Sequence, residues 1–385
     1  MSNTQTIENT HTSGVYAKRD LTIVRGEGAT LYDDQGNAYI DCVGGQGAAN
    51  LGHAHPKVVA AISEQAQKII SVPEMFYNDT RAALLKKLTG LAPEDMDRAF
   101  LSNSGTEAVE AAFKFARFST KRTEIIATMR GFHGRSMGAL SATWNKKYRS
   151  PFQPLIPGIK HVPYNKLERL DAAIDENTAA VILEAVQGEG GVYPGDAEYL
   201  LGAQELCRER GALLIMDEIQ TGFGRTGKMF AINHYDLSPD IMTVAKSMAG
   251  GVPMGATLLG ERVAELSKGI HGSTFGGNPL AAAASLAALN ALVDEKLPER
   301  AAELGAYFLA ELQKIESPLV RGVRGMGLML GIEIKKKVAP YLAALTERGI
   351  LALPAGMTVI RFLPPLVIEK EQIDEVIVAL KEILE

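Results

Sequence analysis

The chain has 385 residues, 46% hydrophobic and 22% charged, with a formal charge of −5 at neutral pH. That length exceeds what one hydrophobic core usually supports, which predicts a large domain with a smaller lobe, and the mildly acidic balance excludes a general attraction to nucleic acid or an anionic membrane. The N-terminus is polar, no apolar run approaches the roughly 20 residues of a membrane span, and Cys42 and Cys207 have no metal-type spacing, so the reading is a reducing cytoplasm and no metal centre.

Residues 20–41 alternate short β-prone runs with turn signals such as Asp33-Asp34-Gln35-Gly36-Asn37, which predicts a small antiparallel meander. From about residue 56 the pattern changes. Helical stretches over 56–70, 80–91 and 106–118 alternate with short apolar strands at 99–101, 125–127, 180–183, 213–216 and 241–244. Apolar strands separated by amphipathic helices predict a mainly parallel sheet covered on both faces. After a helix over 279–294, helices at 297–314, 337–348 and 371–384 flank strands around 327–334 and 359–362. The expected organisation is an N-terminal segment, 1–50, joining the small lobe, a large domain, 51–290, and a C-terminal α+β domain, 291–385. A ligand then belongs between the lobes, outside the carboxyl ends of the parallel strands.

One tempting motif is set aside. Gly222-Phe223-Gly224-Arg225-Thr226-Gly227-Lys228 matches a dinucleotide fingerprint and nearly a P-loop. A P-loop needs Ser or Thr after its lysine, and Met229 follows. The dinucleotide motif must open a long helix, and residues 229–239 lack helical periodicity.

A stronger pair is Asp217 and Lys246, 29 positions apart (246 minus 217), each closing a strand-like run. A lysine that condenses with an aldehyde cofactor and a carboxylate that keeps a pyridine nitrogen protonated are the two groups that pyridoxal phosphate chemistry needs. Ser104-Gly105-Thr106-Glu107 follows a strand and opens a helix, so backbone N–H groups, two hydroxyls and the positive helix end converge on a phosphate site. The same residues also read as an ordinary capping box. In Gly131-Phe132-His133-Gly134-Arg135-Ser136, Phe132 offers a flat partner for a pyridine ring and Arg135 a bidentate grip on a carboxylate. His133 reads either as a general base or, more commonly for an isolated histidine, as a structural hydrogen bonder.

Together these residues resemble the class III, fold-type I pyridoxal phosphate-dependent ω-aminotransferases. The resemblance runs from about Tyr16 to the C-terminus, through Gly52-His53-Ala54-His55-Pro56, Ser102 to Glu107, Phe132 to Arg135, Gln187-Gly188-Glu189, Asp217 to Gly222, Lys246, Thr274 to Pro279 and Arg361-Phe362. It implies a large, mainly parallel seven-stranded-type sheet domain with a smaller α+β lobe built from both termini. It also implies that Lys246 carries the cofactor covalently, Asp217 pairs with the ring nitrogen, Ile219 and Phe132 pack on the two ring faces, and Gln220 reaches the ring hydroxyl. Ser104, Gly105 and Thr106 would bind the phosphate. Thr274 would reach the phosphate of the neighbouring subunit, which requires a homodimer with shared active sites.

Within the family the chain is most similar to the acetylornithine and lysine-biosynthesis aminotransferases. That subgroup implies that Arg135 and Arg361 bind carboxylates, that Glu189 pairs with or releases Arg361 according to the substrate, and that Tyr16 lines the entrance. The stretches 40–45, 325–329 and 359–368 look most like enzymes acting on lysine attached to LysW, an amino-group carrier protein expected to be acidic. The implied reaction moves the terminal amino group between carrier-linked lysine or ornithine and 2-oxoglutarate, giving glutamate. Acetylornithine is the alternative donor; 4-aminobutyrate, free ornithine or an aminomutase reaction come after it. Gln46 and Ala185 depart from the subgroup, which has tyrosine and proline there, and Gln46 is expected near the substrate path.

Overall fold

A computed structural model describes residues 2–385. Its centre is a seven-stranded sheet ordered Arg98–Ser102, Gly255–Leu259, Ile241–Val244, Leu213–Asp217, Thr178–Leu183, Glu124–Thr128 and Ile159–Val162. Gly255–Leu259 runs antiparallel to both neighbours, and the other pairings within the sheet are parallel. Four strands in a row, from Thr178 to Leu259, are buried at every residue. Their side chains alternate between two apolar cores: Val181, Leu183, Leu214, Met216, Met242 and Val244 face one, and Ala180, Ile182, Leu213, Ile215 and Ile241 face the other. That two-sided burial explains why these strands are continuous apolar runs rather than apolar-polar alternations. Each fully buried aliphatic side chain contributes about 1.5–3 kcal/mol.

The sequence predicts an α/β fold with a large, mainly parallel sheet, and the structure has it, the sheet being mixed through its one antiparallel strand, with further differences at the margins. Two strands of the sheet, Ile159–Val162 and Gly255–Leu259, are additions to the expected set. The expected strand at 327–334 is the second half of a hairpin, Val320–Met326 paired with Met329–Ile334, which continues through Val359–Phe362 to Leu353–Ala355. The N-terminal meander, Ile23–Glu27, Thr30–Asp33 and Ala38–Asp41, gains a parallel fourth strand from Ile350–Leu351. Residues far apart in sequence thereby share one small sheet. An N-terminal helix, Asn3–His11, buries no residue and is closed by a Ser2–Gln5 capping box.

The glycine-rich loop at 222–227 leads into a four-residue turn of 3-10 helix, Ala231–His234, rather than a long helix. Its Arg225 is fully buried, and the guanidinium donates to the carbonyls of Leu328 and Pro364 and to Asn50 Oδ1. The loop thus ties the large sheet to Asn50, to the Leu328 turn and to the chain just after the strand Val359–Phe362.

Candidate active site

A cavity of about 320 Å³ opens at the carboxyl ends of the strands Leu213–Asp217 and Ile241–Val244. This volume suits a small cofactor and part of a substrate. Nine of the fourteen predicted site residues line it: Ser104, Gly105, Thr106, Phe132, Glu189, Asp217, Ile219, Gln220 and Lys246.

Asp217 ends its strand with a buried carboxylate. His133 Nδ1–H donates to Asp217 Oδ2 at 2.7 Å, and Ile219 N–H donates to Oδ1 at 3.1 Å. Both oxygens are held, so the carboxylate has one orientation. Burial disfavours the His133 cation, but the Asp217 hydrogen bond and charge outweigh it and raise the imidazole above its ordinary value. His133 therefore supports Asp217, in line with the structural-hydrogen-bonder reading.

Lys246 follows Ile241–Val244 with φ 42, a left-handed conformation that few non-glycine residues adopt. Its neighbour Ser247 donates from Oγ to the Gly47 carbonyl at 2.7 Å, which anchors the turn. Burial lowers the Lys246 ammonium below its ordinary range, with Arg361 acting the same way and Glu189 and Asp217 opposing. An amine that loses its proton more readily serves as nucleophile and base.

The helix Gly105–Thr120 points its first turn into the cavity. Ser104 Oγ donates to Glu107 Oε2 at 2.9 Å and accepts from Glu107 N–H at 3.3 Å, while Glu107 also accepts from Asn103 N–H at 2.8 Å. The capping arrangement and the anion site are thus the same residues, because a helix's first N–H groups lack intrahelical partners. Gly105 has a steric reason here: a Cβ would come within 2.8 Å of Ile219 Cδ1. Ile219 packs against the helix start because residue 105 has no side chain.

Arg361 lies on the strand Val359–Phe362, nearly fully buried. Its Nη1 contacts Glu189 Oε1 at 2.7 Å and Gln220 Oε1 at 3.0 Å. Burial opposes ionisation of Glu189, but the Arg361 and Lys246 charges outweigh it and hold the carboxyl below its usual range. The close approach of Gln220 depends on Gly188, where a Cβ would lie 2.0 Å from Gln220 Oε1.

The remaining predicted residues lie outside the cavity lining. Arg135 is exposed and stacks on Tyr148 at 3.9 Å and on Phe132 at 5.6 Å to the ring centroids. Tyr16 is exposed. Gln46 is exposed at φ 60, within a left-handed turn over Gly44–Gly47. Thr274 is exposed beside Ser273, whose Oγ accepts from Asn103 Nδ2 at 3.1 Å. Two polar lining residues, Asn103 and Glu184, were given no role from sequence. Glu184 directly follows the strand Thr178–Leu183, and its place at a strand's carboxyl end is the signal that marks it.

These groups fit a flat, phosphorylated, cationic ring. Helix-end N–H groups stand ready for the phosphate, Phe132 and Ile219 for the ring, a buried, oriented carboxylate for its nitrogen, and a primary amine for its aldehyde.

Residues 14–384 match the family model described as aminotransferase class-III. A LysW-aminoadipate semialdehyde transaminase of Deinococcus radiodurans is 52% identical over 381 residues, covering 98% of this chain and 89% of that one. An acetylornithine aminotransferase of Methanothermobacter thermautotrophicus is 48% identical over 372 residues, covering 96% of this chain and 95% of the other. Among solved structures, the ornithine aminotransferase of Toxoplasma gondii, described with partial occupancy of pyridoxal phosphate (PLP) at its active site, superposes with a TM-score of 0.94 at 35% identity. That match covers 99% of this chain and 93% of the other.

Proposed function

This chain belongs to the class-III aminotransferases and depends on pyridoxal 5'-phosphate, and from that premise we propose that it moves the terminal amino group between a LysW-linked lysine or ornithine and 2-oxoglutarate. The cofactor supplies an aldehyde that takes up an amino group and a ring that accepts the electron pair left when a carbon loses its proton. Ser104, Gly105 and Thr106 would hold its phosphate, Phe132 and Ile219 its faces, Asp217 its ring nitrogen and Gln220 its ring hydroxyl. Lys246 Nζ would hold its aldehyde covalently and, when free, would carry the proton away from the amino-bearing carbon of the substrate. Both half-reactions use the same cavity in turn, so steady-state kinetics are expected to be ping-pong.

The observation that carries the substrate reading is the Glu189–Arg361 pair at 2.7 Å. With Glu189 in place the arginine is neutralised, and the cavity takes a donor whose reacting end has no free α-carboxylate. With Glu189 displaced, Arg361 is free to grip the α-carboxylate of 2-oxoglutarate, and Arg135 the other. The 52% identity to the LysW-aminoadipate semialdehyde transaminase favours a carrier-linked donor. The 48% identity to an acetylornithine aminotransferase supports the second reading, acetylornithine. Lysine or arginine biosynthesis is the corresponding setting.

One comparison decides between them: kcat/KM for carrier-linked lysine and for acetylornithine with 2-oxoglutarate as acceptor, in wild type and in Arg361→Ala. Wild type is expected to prefer the carrier-linked donor, and a preference for acetylornithine would replace the first reading by the second. Arg361→Ala should raise KM for 2-oxoglutarate roughly 10- to 100-fold, the value of a charge-assisted pair, and leave the donor KM nearly unchanged. Equal losses on both sides would make Arg361 a structural residue.

We also read the enzyme as a homodimer with shared sites, with 51–290 as the cofactor-binding domain and 1–50 and 291–385 forming the smaller lobe. Ile70, Met75, Phe76, Tyr77 and Phe275 are large apolar side chains left exposed. The buried Arg81 donates to the carbonyls of Val72, Phe76 and Gly277, which draws these two segments together. A clustered apolar surface of this kind calls for a partner. Light scattering should return twice 41.3 kDa. A monomer that transaminates at full rate would remove the shared-site reading. Among the described residues no helix is long and apolar enough to cross a membrane.

A further inference from the structure

Glu184 lines the same cavity, and the reaction as derived above makes no use of it. Its carboxyl is buried at the carboxyl end of the strand Thr178–Leu183. Oε2 accepts from the Phe132 N–H at 3.0 Å and Oε1 from the Gly188 N–H at 3.4 Å. The first amide belongs to the loop carrying the Phe132 ring, and the second to the segment ending in Glu189, which holds Arg361. A carboxylate accepts on both oxygens, so Glu184 bridges the two loops, alongside Gln187, whose Nε2 donates to the Met129 carbonyl at 2.9 Å.

The charged and titratable groups facing Glu184 are His133, Asp217, Lys246 and Tyr164. Tyr164 donates from its hydroxyl to the Glu184 main-chain carbonyl at 2.6 Å. His133 donates to Asp217, and its own Nε2 is buried without a partner. We propose that Glu184 is a positioning residue: its two oxygens hold the ring-stacking loop and the Glu189 loop in register, and its charge acts on the proton balance at Asp217 and Lys246.

Burial pushes the Glu184 carboxyl up to about 7, His133 opposing and Asp217 adding to the rise. Protonation turns one acceptor oxygen into a donor, so the bridge weakens as pH falls through that value. The 2-oxoglutarate KM is accordingly expected to rise on acidification through pH 7.

Two near-isosteric variants separate the two halves of the proposal. Glu184→Gln removes the charge and keeps one acceptor oxygen, whereas Glu184→Asp keeps the charge and shortens the reach. Three quantities are read on each: PLP affinity by absorbance titration of the cofactor-free protein, the pH midpoint of the bound cofactor's visible band, and KM for 2-oxoglutarate. Glu184→Gln should weaken PLP binding several-fold. It should also move the midpoint to lower pH by about half a unit or more, because a negative charge that favours a proton on Lys246 Nζ is gone. Glu184→Asp should keep the midpoint and raise the acceptor KM several-fold. An unchanged midpoint in Glu184→Gln overturns the electrostatic half, and an unchanged acceptor KM in Glu184→Asp overturns the bridge. If the glutamine variant does not fold, the aspartate variant decides alone, with an unaltered acceptor KM counting against the proposal. The proposal rests on this cavity being the cofactor site, and Lys246→Ala reports on that separately, since it should lose the pH-dependent band altogether.

Discussion

Replacing Lys246 by alanine is expected to abolish transamination to within measurement, a loss of at least about 10⁴-fold, because one side chain performs two tasks. In the proposed reaction it would fix the cofactor covalently, and its Nζ would be the base that moves the proton at the amino-bearing carbon. A positioned general base alone contributes about 10²–10⁴-fold. The fold should be untouched, since the turn after Val244 is held by other contacts: Ser247 Oγ on the Gly47 carbonyl and Ser285 Oγ on the Met248 carbonyl. The sign of the linkage supports this. Burial lowers the Lys246 ammonium below its unfolded value, so below that value the unfolded chain binds more protons there than the native one. The lysine therefore costs stability at neutral pH, and the cost fades only as pH rises toward the ordinary lysine value. The cofactor-free Lys246→Ala protein should accordingly melt no lower than cofactor-free wild type at pH 7. A variant that still transaminates would remove the central assignment, whereas one that melts far lower would make Lys246 a structural residue as well.

The parts of this molecule legible in its sequence are those where one pattern has one physical cause. The runs around Val181, Leu214 and Met242 are apolar on both faces because helices cover both sides of the sheet, and a continuous apolar run reports that directly. The class, cofactor and α/β fold followed from several such motifs in order. The missed elements lack that signature. Ile159–Val162, at the sheet's end, mixes Lys160 and His161 into four residues, and Val320–Met326 carries two arginines and two glycines. Both are held by pairing to a neighbouring strand, which is tertiary information. Helix Asn3–His11 has no apolar face because it buries nothing. Glu184 was passed over for a different reason. It stands three residues before the motif Gln187-Gly188-Glu189 with no charged neighbour in sequence, and the Phe132 amide and the Asp217 charge it faces arrive from a loop 52 and a strand end 33 residues away (184 minus 132; 217 minus 184). Gln46 and Tyr16 lie outside the cavity lining, and their proposed parts at the entrance depend on the substrate's bulk rather than on the cofactor.

Asp217→Asn carries the second largest expected effect, about 10²- to 10³-fold on the proton-transfer step, the usual loss when one preorganised charge at a developing charge is removed. The change is nearly isosteric, so its consequences are chemical. Asp217 accepts from His133 Nδ1–H on one oxygen and from Ile219 N–H on the other. An asparagine has one acceptor and one donor, so whichever way it turns, one of those two N–H groups faces an NH₂. A buried unpaired donor costs about 1–3 kcal/mol, which should appear as a lower melting temperature in the cofactor-free protein. On the proposed assignment the pyridine nitrogen would also lose the anion that keeps its proton, and the carbon's electron pair would have a poorer acceptor. Cofactor affinity should fall much less than rate, because the helix start at Ser104 and the bond to Lys246 do not involve residue 217. The measurement is single-turnover decay of the cofactor's visible band with donor deuterated at the reacting carbon. A slower step with a larger isotope effect is expected, since proton removal becomes the dominant barrier. A near-normal rate with an unaltered isotope effect would show that another group tunes the ring. His133 would then be the first to examine, since it alone among the described side chains donates a hydrogen bond to Asp217.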